Sequence, residues 1–388
     1  MDFKMQKKNI LQKGSIDYSL LIVTLILIAY GLIMVFSASY YMAQSSAAYN
    51  YDGLALFKKQ LFGAAIGLAA MIFFMLFDYK KLFKLRYVFL AIAGIFLVAV
   101  LIPSIGVNLN GSSRWIRILG ISIQPAEIAK FALIIFIAAS VYINRNRMDT
   151  FRFGIAPALI MLLPICLLLY FQPNFSAIIV LCALAFIMVF VGGVKGWHLA
   201  AVGGVGAIGV IVMMLRKVYR VNRITSFFDP WQNPSGDGYQ VIQSLLGIGS
   251  GGLFGQGIGN GTQKLSWLPY GESDFIFSII TEELGLIGAI VLLALFVWLI
   301  YRGVKVAATA PDLFGTMLAT GIITLIGLQV IVNVGVVTAS LPPTGVSLPF
   351  ISYGSSSLVI FMSMIGILLN ISRQGRRIMM TNAAKQRT

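Results

Sequence analysis

The sequence predicts an all-α protein that crosses a membrane about ten times, and three observations carry that prediction. Of its 388 residues, 59% are hydrophobic and 11% charged, against roughly 25% charged in an ordinary soluble domain. The apolar residues fall in runs near the roughly 20 residues an α-helix needs to span a bilayer, not in the short alternating segments of an outer-membrane barrel. Most charged residues lie between those runs. A soluble globular enzyme is excluded on composition alone.

Taken in order, the runs predict spans near 18–36, 61–77, 87–103, 125–143, 153–171, 175–193, 197–215, 275–301, 313–337 and 348–371. The first follows Lys4, Lys7, Lys8 and Lys13, as a signal peptide would, but it exceeds a 7–15-residue apolar core and further spans follow, so it reads as a retained helix. Ten spans put both termini on one side. The segments on that side hold nineteen Lys and Arg against nine on the other, which makes both termini cytoplasmic. The segment 216–274 is then a large outward loop, and 372–388 is a basic cytoplasmic tail that orients the chain and can touch anionic lipids. Residues 1–388 read as one transmembrane domain, and the net charge of +16 records topology rather than nucleic-acid binding. Cys166 and Cys182 lie inside apolar runs and read as core residues, not as a disulfide framework.

Thirteen Asp and Glu residues exist, so each can be weighed. Glu127, Glu282 and Glu283 fall within spans, where a charge is costly and carries a functional presumption. Two readings of Glu282 and Glu283 stand: a buried network that locks helices, or part of a site. If the run after Asp274 is one helix, its 1.5 Å rise puts them roughly 12–13 Å along it. In Gln124-Pro-Ala-Glu-Ile-Ala-Lys130, Pro125 suits a helix first turn and Lys130 shares a face with Glu127. The pair reads either as structural or as a seat for an anionic ligand. Upstream, Arg114 and Arg117 flank an interfacial Trp115, and the planar fork of Arg114 fits phosphate oxygens. Eight glycines between Gly247 and Gly261 contain a GxGxxG match, but no strand precedes it, so the dinucleotide reading fails. Tight re-entrant backbone lining a cavity suits those glycines better. The sole histidine, His198, reads as an interfacial side chain.

Several motifs stand in one order along nearly the whole chain: Phe36-Ser-Ala-Ser39, Gln124-Pro-Ala-Glu127, Asp229-Pro-Trp231 and Gly238-Tyr-Gln-Val-Ile-Gln-Ser244. They continue with Gly249-Ser-Gly-Gly-Leu-Phe-Gly255, Ser273-Asp-Phe-Ile-Phe277, Glu282-Glu-Leu-Gly-Leu-Ile-Gly288, Pro349-Phe-Ile-Ser-Tyr-Gly354 and Asn370-Ile-Ser-Arg373. In these the chain resembles the shape, elongation, division and sporulation (SEDS) proteins, the family of FtsW and RodA. The resemblance implies a ten-helix peptidoglycan glycosyltransferase of the bacterial cytoplasmic membrane. Such an enzyme polymerises lipid II on the outer face, with a class B penicillin-binding protein as cross-linking partner. No external nucleotide is needed, because the pyrophosphate leaving group already activates the donor sugar.

The resemblance maps the essential acid onto Asp274 and the polar substrate-binding residues onto Arg114, Glu127, Lys130 and Lys264. Arg114 and Lys264 are expected to hold the pyrophosphate, with Arg117 and Arg223 as weaker candidates, and Glu282 and Glu283 to organise the cavity. No cofactor is required by this chemistry, although a divalent cation, Mg or Mn, could find oxygen ligands at Asp274 and Glu272. Three places depart from the family pattern: Gln172-Pro-Asn174 lacks an Asp, Ser355 stands for a glycine, and Tyr270-Gly-Glu-Ser273 differs from the commoner arrangement. The competing reading is a lipid II flippase. A base at the outer membrane edge favours the enzyme, whereas a transporter needs its key charges near the midplane.

Overall fold

The computed structural model describes residues 14–109, 112–118, 121–215, 226–236, 238–265 and 267–386. Each predicted apolar run meets a helix: α1 (Tyr18–Gln44), α2 (Ala55–Leu76), α3 (Lys80–Ala99), α4 (Pro125–Asn144), α5 (Ala156–Phe171), α6 (Phe175–Val191) and α7 (Gly196–Leu215). After the helix α8 (Tyr239–Gly251), which no predicted run covers, come α9 (Ile276–Ala308), α10 (Leu313–Val337) and α11 (Ser355–Gln386). Seven of these are long and apolar enough to cross a membrane, and α5 and α6 are shorter apolar helices. The chain is a multi-pass membrane protein.

Interior and lipid-facing helices separate by burial. In α4, 78% of the apolar window is buried, against 17% in α3. Around α4 the core is filled by α10 and α11, with Ile134, Met317, Leu318, Leu325, Phe361 and Leu368 closed to solvent. Glycines let α2 and α11 approach closely. A Cβ on Gly63 would lie 2.6 Å from the Ser355 side chain, and one on Gly366 would lie 2.4 Å from the Met71 carbonyl. Likewise Gly31 of α1 accepts the loop before α11, where a Cβ would strike Phe350 O at 2.3 Å.

The loops sort onto two ends of the bundle. At one end, Asp17 caps α1 through Leu20 N–H and holds Arg302 at 2.6 Å and Arg376 at 3.4 Å. At the same end Tyr79 donates to Asp312 at 2.7 Å and Gln374 donates to Asp78 at 2.9 Å. At the other end, Arg114 donates to the Pro173 carbonyl, Gly345 N–H to Ser176 at 3.2 Å, and Tyr353 N–H to the Glu272 carbonyl at 2.9 Å.

Four features correct the sequence reading. The last span begins at Ser355, because 348–354 is loop. A small antiparallel sheet, β1 (Gly106–Leu109), β2 (Ser112–Ile118) and β3 (Ile121–Ile123), stands where no strand was expected. Its alternation turns Arg114 to the same face as the buried Ile116 and leaves Arg117 exposed. The segment between α7 and α9, expected to be a loop, contains α8, which packs on the first part of α9. Finally, α9 is not continuous: Gly285 sits at φ 68°, ψ −170° and divides it.

Candidate functional site

The break at Gly285 is spliced by the glycine-rich loop. A helix interrupted at membrane depth leaves backbone groups that must find partners inside the protein. Gln256 and Gly257 N–H donate to the Glu282 and Glu283 carbonyls at 3.0 and 2.9 Å. Gly252 and Leu253 carbonyls accept from Leu286 and Ile287 N–H at 2.9 and 3.2 Å. The loop achieves this through positive φ at Gly252, Gly255, Gly257 and Gly259, a region open to glycine at little cost. α8 descends beside the first half of α9, with Ser278 donating to the Ser244 carbonyl at 2.8 Å and Gly251 pressed on Thr281. The expectation of re-entrant backbone is met here.

Both glutamates at the break are closed to solvent, at 0% exposure. Glu282 accepts from Thr262 N–H at 2.7 Å, Thr262 Oγ1 at 2.8 Å and Gln263 N–H at 3.2 Å. Glu283 accepts from Lys264 Nζ at 2.6 Å and from Ser37 Oγ at 2.7 Å. Lys264 is 8% exposed and also donates to Ser37 at 3.1 Å. The Lys264 ammonium, expected to face pyrophosphate, is paired here with the buried Glu283 carboxylate and so joins the loop to α1 and α9. A cleft of about 320 Å³, which Lys264 itself helps to line, opens between Phe36, Ser37, Tyr40 and Tyr41 of α1 and Ile258, Gly259 and Leu265.

Asp274 lies at the other end of the same half-helix, where the Tyr270–Phe275 turn passes into α9. The side chains of Asp274 and Arg114 converge on Gly345. A Cβ there would lie 3.2 Å from Asp274 Oδ2 and 3.8 Å from Arg114 Nη1. Arg114 is held by the Pro173 carbonyl in the α5–α6 turn, the same turn in which Asn174 caps α6. A carboxylate that can accept a proton and a guanidinium that can hold an oxyanion thus share one small space. Nearby, burial pushes the Glu272 carboxyl above its ordinary value, and burial with Tyr49 and Glu272 pushes Tyr353 up to about 12, against the pull of Arg117.

Deeper in the bundle, Glu127 and Lys130 form an ion pair at 2.5 Å and are 3% and 4% exposed. Pro125 opens α4 and puts Glu127 in its first turn, where the helix dipole favours a carboxylate. Arg223 lies outside the described residues, with its neighbours Arg216, Lys217 and Arg220. Among the described residues no group of three or more His, Cys, Asp or Glu gathers to hold a metal. Cys166 and Cys182 are free thiols with sulfurs 4.0 Å apart.

Sequence reasoning missed Ser37, Thr262 and Gln263 as partners of the buried glutamates. Ser37 stood inside a recognised motif, but nothing in its spacing pointed to a residue 246 positions away. It also missed Gln329 and Asn333 of α10, both closed to solvent. Polar residues inside an apolar run were the available signal.

A bundle of apolar helices with a glycine-rich loop folded into it and an acid beside a cation at one end is the architecture of a polytopic membrane protein with a polar site at one end of the bundle. Residues 18–377 match the FtsW, RodA and SpoVE family of cell cycle proteins, and the chain belongs to that family. Stage V sporulation protein E of Bacillus subtilis is 43% identical over 94% of this chain and 99% of its own length. The probable peptidoglycan glycosyltransferase FtsW of Geobacter sp. (strain M18) is 41% identical over 93% and 97%. Among solved structures, a chain of a peptidoglycan synthase complex that coordinates polymerization and crosslinking superposes with a TM-score of 0.74 at 27% identity, covering 93% of this chain and 98% of that one. The rod shape determining protein RodA of Thermus thermophilus gives 0.67 at 25% identity, covering 92% and 97%. The resemblance read from the motifs holds.

Proposed function

We propose that this protein is a peptidoglycan glycosyltransferase that polymerises lipid II on the outer face of the bacterial cytoplasmic membrane, in division or cell-shape maintenance. The observation that carries the reading is the convergence of Asp274 and Arg114 on Gly345, in a family whose relatives bear that activity in their names. The excess of Lys and Arg on the side of the termini supports reading the Asp274 end as extracytoplasmic.

In the proposed reaction, Asp274 accepts the proton of the acceptor's sugar hydroxyl. The hydroxyl oxygen bonds to the donor's anomeric carbon while the bond from that carbon to the pyrophosphate oxygen breaks. Undecaprenyl pyrophosphate departs with its negative charge. Arg114 is positioned to stabilise that charge as it develops, which is where a fixed cation accelerates the step. Glu127 and Lys130 are assigned to the substrate-binding wall, and Glu282, Glu283 and Lys264 to holding the re-entrant loop. We assign it a class B penicillin-binding protein as partner, which the similarity to a chain of a synthase complex that coordinates polymerization and crosslinking supports.

Polymerisation of purified lipid II by the reconstituted protein, with and without that partner, tests the reading. Glycan strands that form with wild-type Asp274 and vanish in Asp274→Asn support it. Lipid II transport without polymer would replace it with the flippase reading.

A further inference from the structure

A turn is a soft mounting for a reacting group, and Asp274 sits in one. Three consecutive carbonyls of that turn accept hydrogen bonds from outside it. Glu272 O accepts from Tyr353 N–H at 2.9 Å, Ser273 O from Ser352 Oγ at 2.6 Å, and Asp274 O from Asn333 Nδ2 at 2.8 Å. The start of α9 leaves room for this, since Ser278 N–H donates to Phe275 O, three residues back, at 3.0 Å.

Each donor is itself fixed. Asn333 is 0% exposed, and its amide also donates to Val346 O at 2.8 Å. One side chain therefore ties α10 to the Asp274 turn and to the loop that brings Gly345 against Asp274 and Arg114. Ser352 accepts from Leu348 N–H at 2.8 Å, and its carbonyl accepts from Gln60 of α2 at 3.2 Å. Gln60 in turn accepts from Gly354 N–H at 3.0 Å. The turn is thus clamped between α2 and α10, which are rigid elements.

We propose that Asn333 and Ser352 are positioning residues for Asp274: they hold the turn by its backbone so that the carboxylate faces Arg114 and the substrate. This rests on the reading of Asp274 as the base. General-base transfer needs heavy atoms within hydrogen-bond reach, and displacement of a reacting group by about 1 Å can cost a hundredfold in rate. Loss of either donor frees one carbonyl and lets the turn relax away from its seat.

The test uses the full chain with its penicillin-binding partner and lipid II, comparing Asn333→Ala, Ser352→Ala and Ser352→Thr with wild type. Each alanine variant is expected to lower kcat about tenfold with KM within about twofold. Ser352→Thr, which keeps the hydroxyl, should recover most of the loss. The acid limb of the kcat profile should move to higher pH in the alanine variants, because a carboxylate drawn away from Arg114 binds its proton more tightly. Wild-type kcat in both alanine variants overturns the proposal. So does a loss of activity that follows the loss of folded protein with the acid limb unmoved. Asp274→Asn, run in parallel, separates the two levels: if it polymerises normally the base assignment falls, and if it is inactive while the alanine variants are normal only the clamp falls.

Discussion

Asp274 and Glu283 stand nine residues apart at opposite ends of one half-helix, and the protein treats their carboxylates in opposite ways. At Asp274 the backbone is held by the protein and the side chain reaches a space shared with Arg114. At Glu283 the side chain is spent on Lys264 and Ser37, and its carbonyl closes the splice with Gly257. An acid held by its main chain is set in place beside Arg114 by the fold around it. An acid held by its oxygens gives the fold its internal fastening.

The contrast makes distinct demands on mutation. Asp274→Asn should abolish polymerisation, a loss of about a hundred- to ten-thousandfold as for removal of a general base, with thermal stability and partner binding unchanged. A marked fall in its melting temperature would erase the distinction. Glu283→Gln should instead destabilise the fold by roughly 3–5 kcal/mol, because it leaves the Lys264 ammonium buried without a counter-charge. Adding Lys264→Met to it should restore much of that loss, measured by thermal unfolding in detergent. Gly285→Ala should cost about 2–5 kcal/mol from left-handed strain and overpacking, since a Cβ there would lie 2.4 Å from Gly255 N and Leu253 O. A normal melting temperature would mean that the splice is not rigid.

Arg114→Ala should reduce turnover by at least about tenfold, roughly 1.4 kcal/mol in transition-state stabilisation, and leave stability close to wild type. The smallest effect belongs to Glu272. Its folded pKa is raised by burial above the ordinary 4.5, so the folded state binds the proton more tightly than the unfolded state. The resulting stability is full below 4.5 and declines as pH rises toward the folded pKa. Glu272→Gln should remove that decline, so the gap between variant and wild-type melting temperatures should widen upward from pH 4.5. Parallel curves would place no burial cost on this carboxyl.

The spans were legible because twenty apolar residues in a row have few alternatives. The pair Glu127 and Lys130 was legible because i,i+3 is a local rule. What escaped was which residues meet when the chain returns to itself. Glu282 and Glu283 read as points on a continuous helix because Gly285 is one glycine among many, and its φ is set by the loop it splices. The pairing of Lys264 with Glu283 was hidden because the two lie 19 residues apart across the glycine-rich loop. The strands around Arg114 are short and carry little pattern. The bonds that hold Asp274 end on carbonyls, which every residue possesses and no sequence displays.

That last point bears on how such a site can change over generations. Because Asn333, Ser352 and the Tyr353 amide grip main-chain oxygens, the side chains at 272 and 273 are free to drift while the acid that follows stays in register. The clamp then makes no demand on the side chains of the Tyr270-Gly-Glu-Ser273 stretch, and its demands fall on the distant amide and hydroxyl that do the gripping.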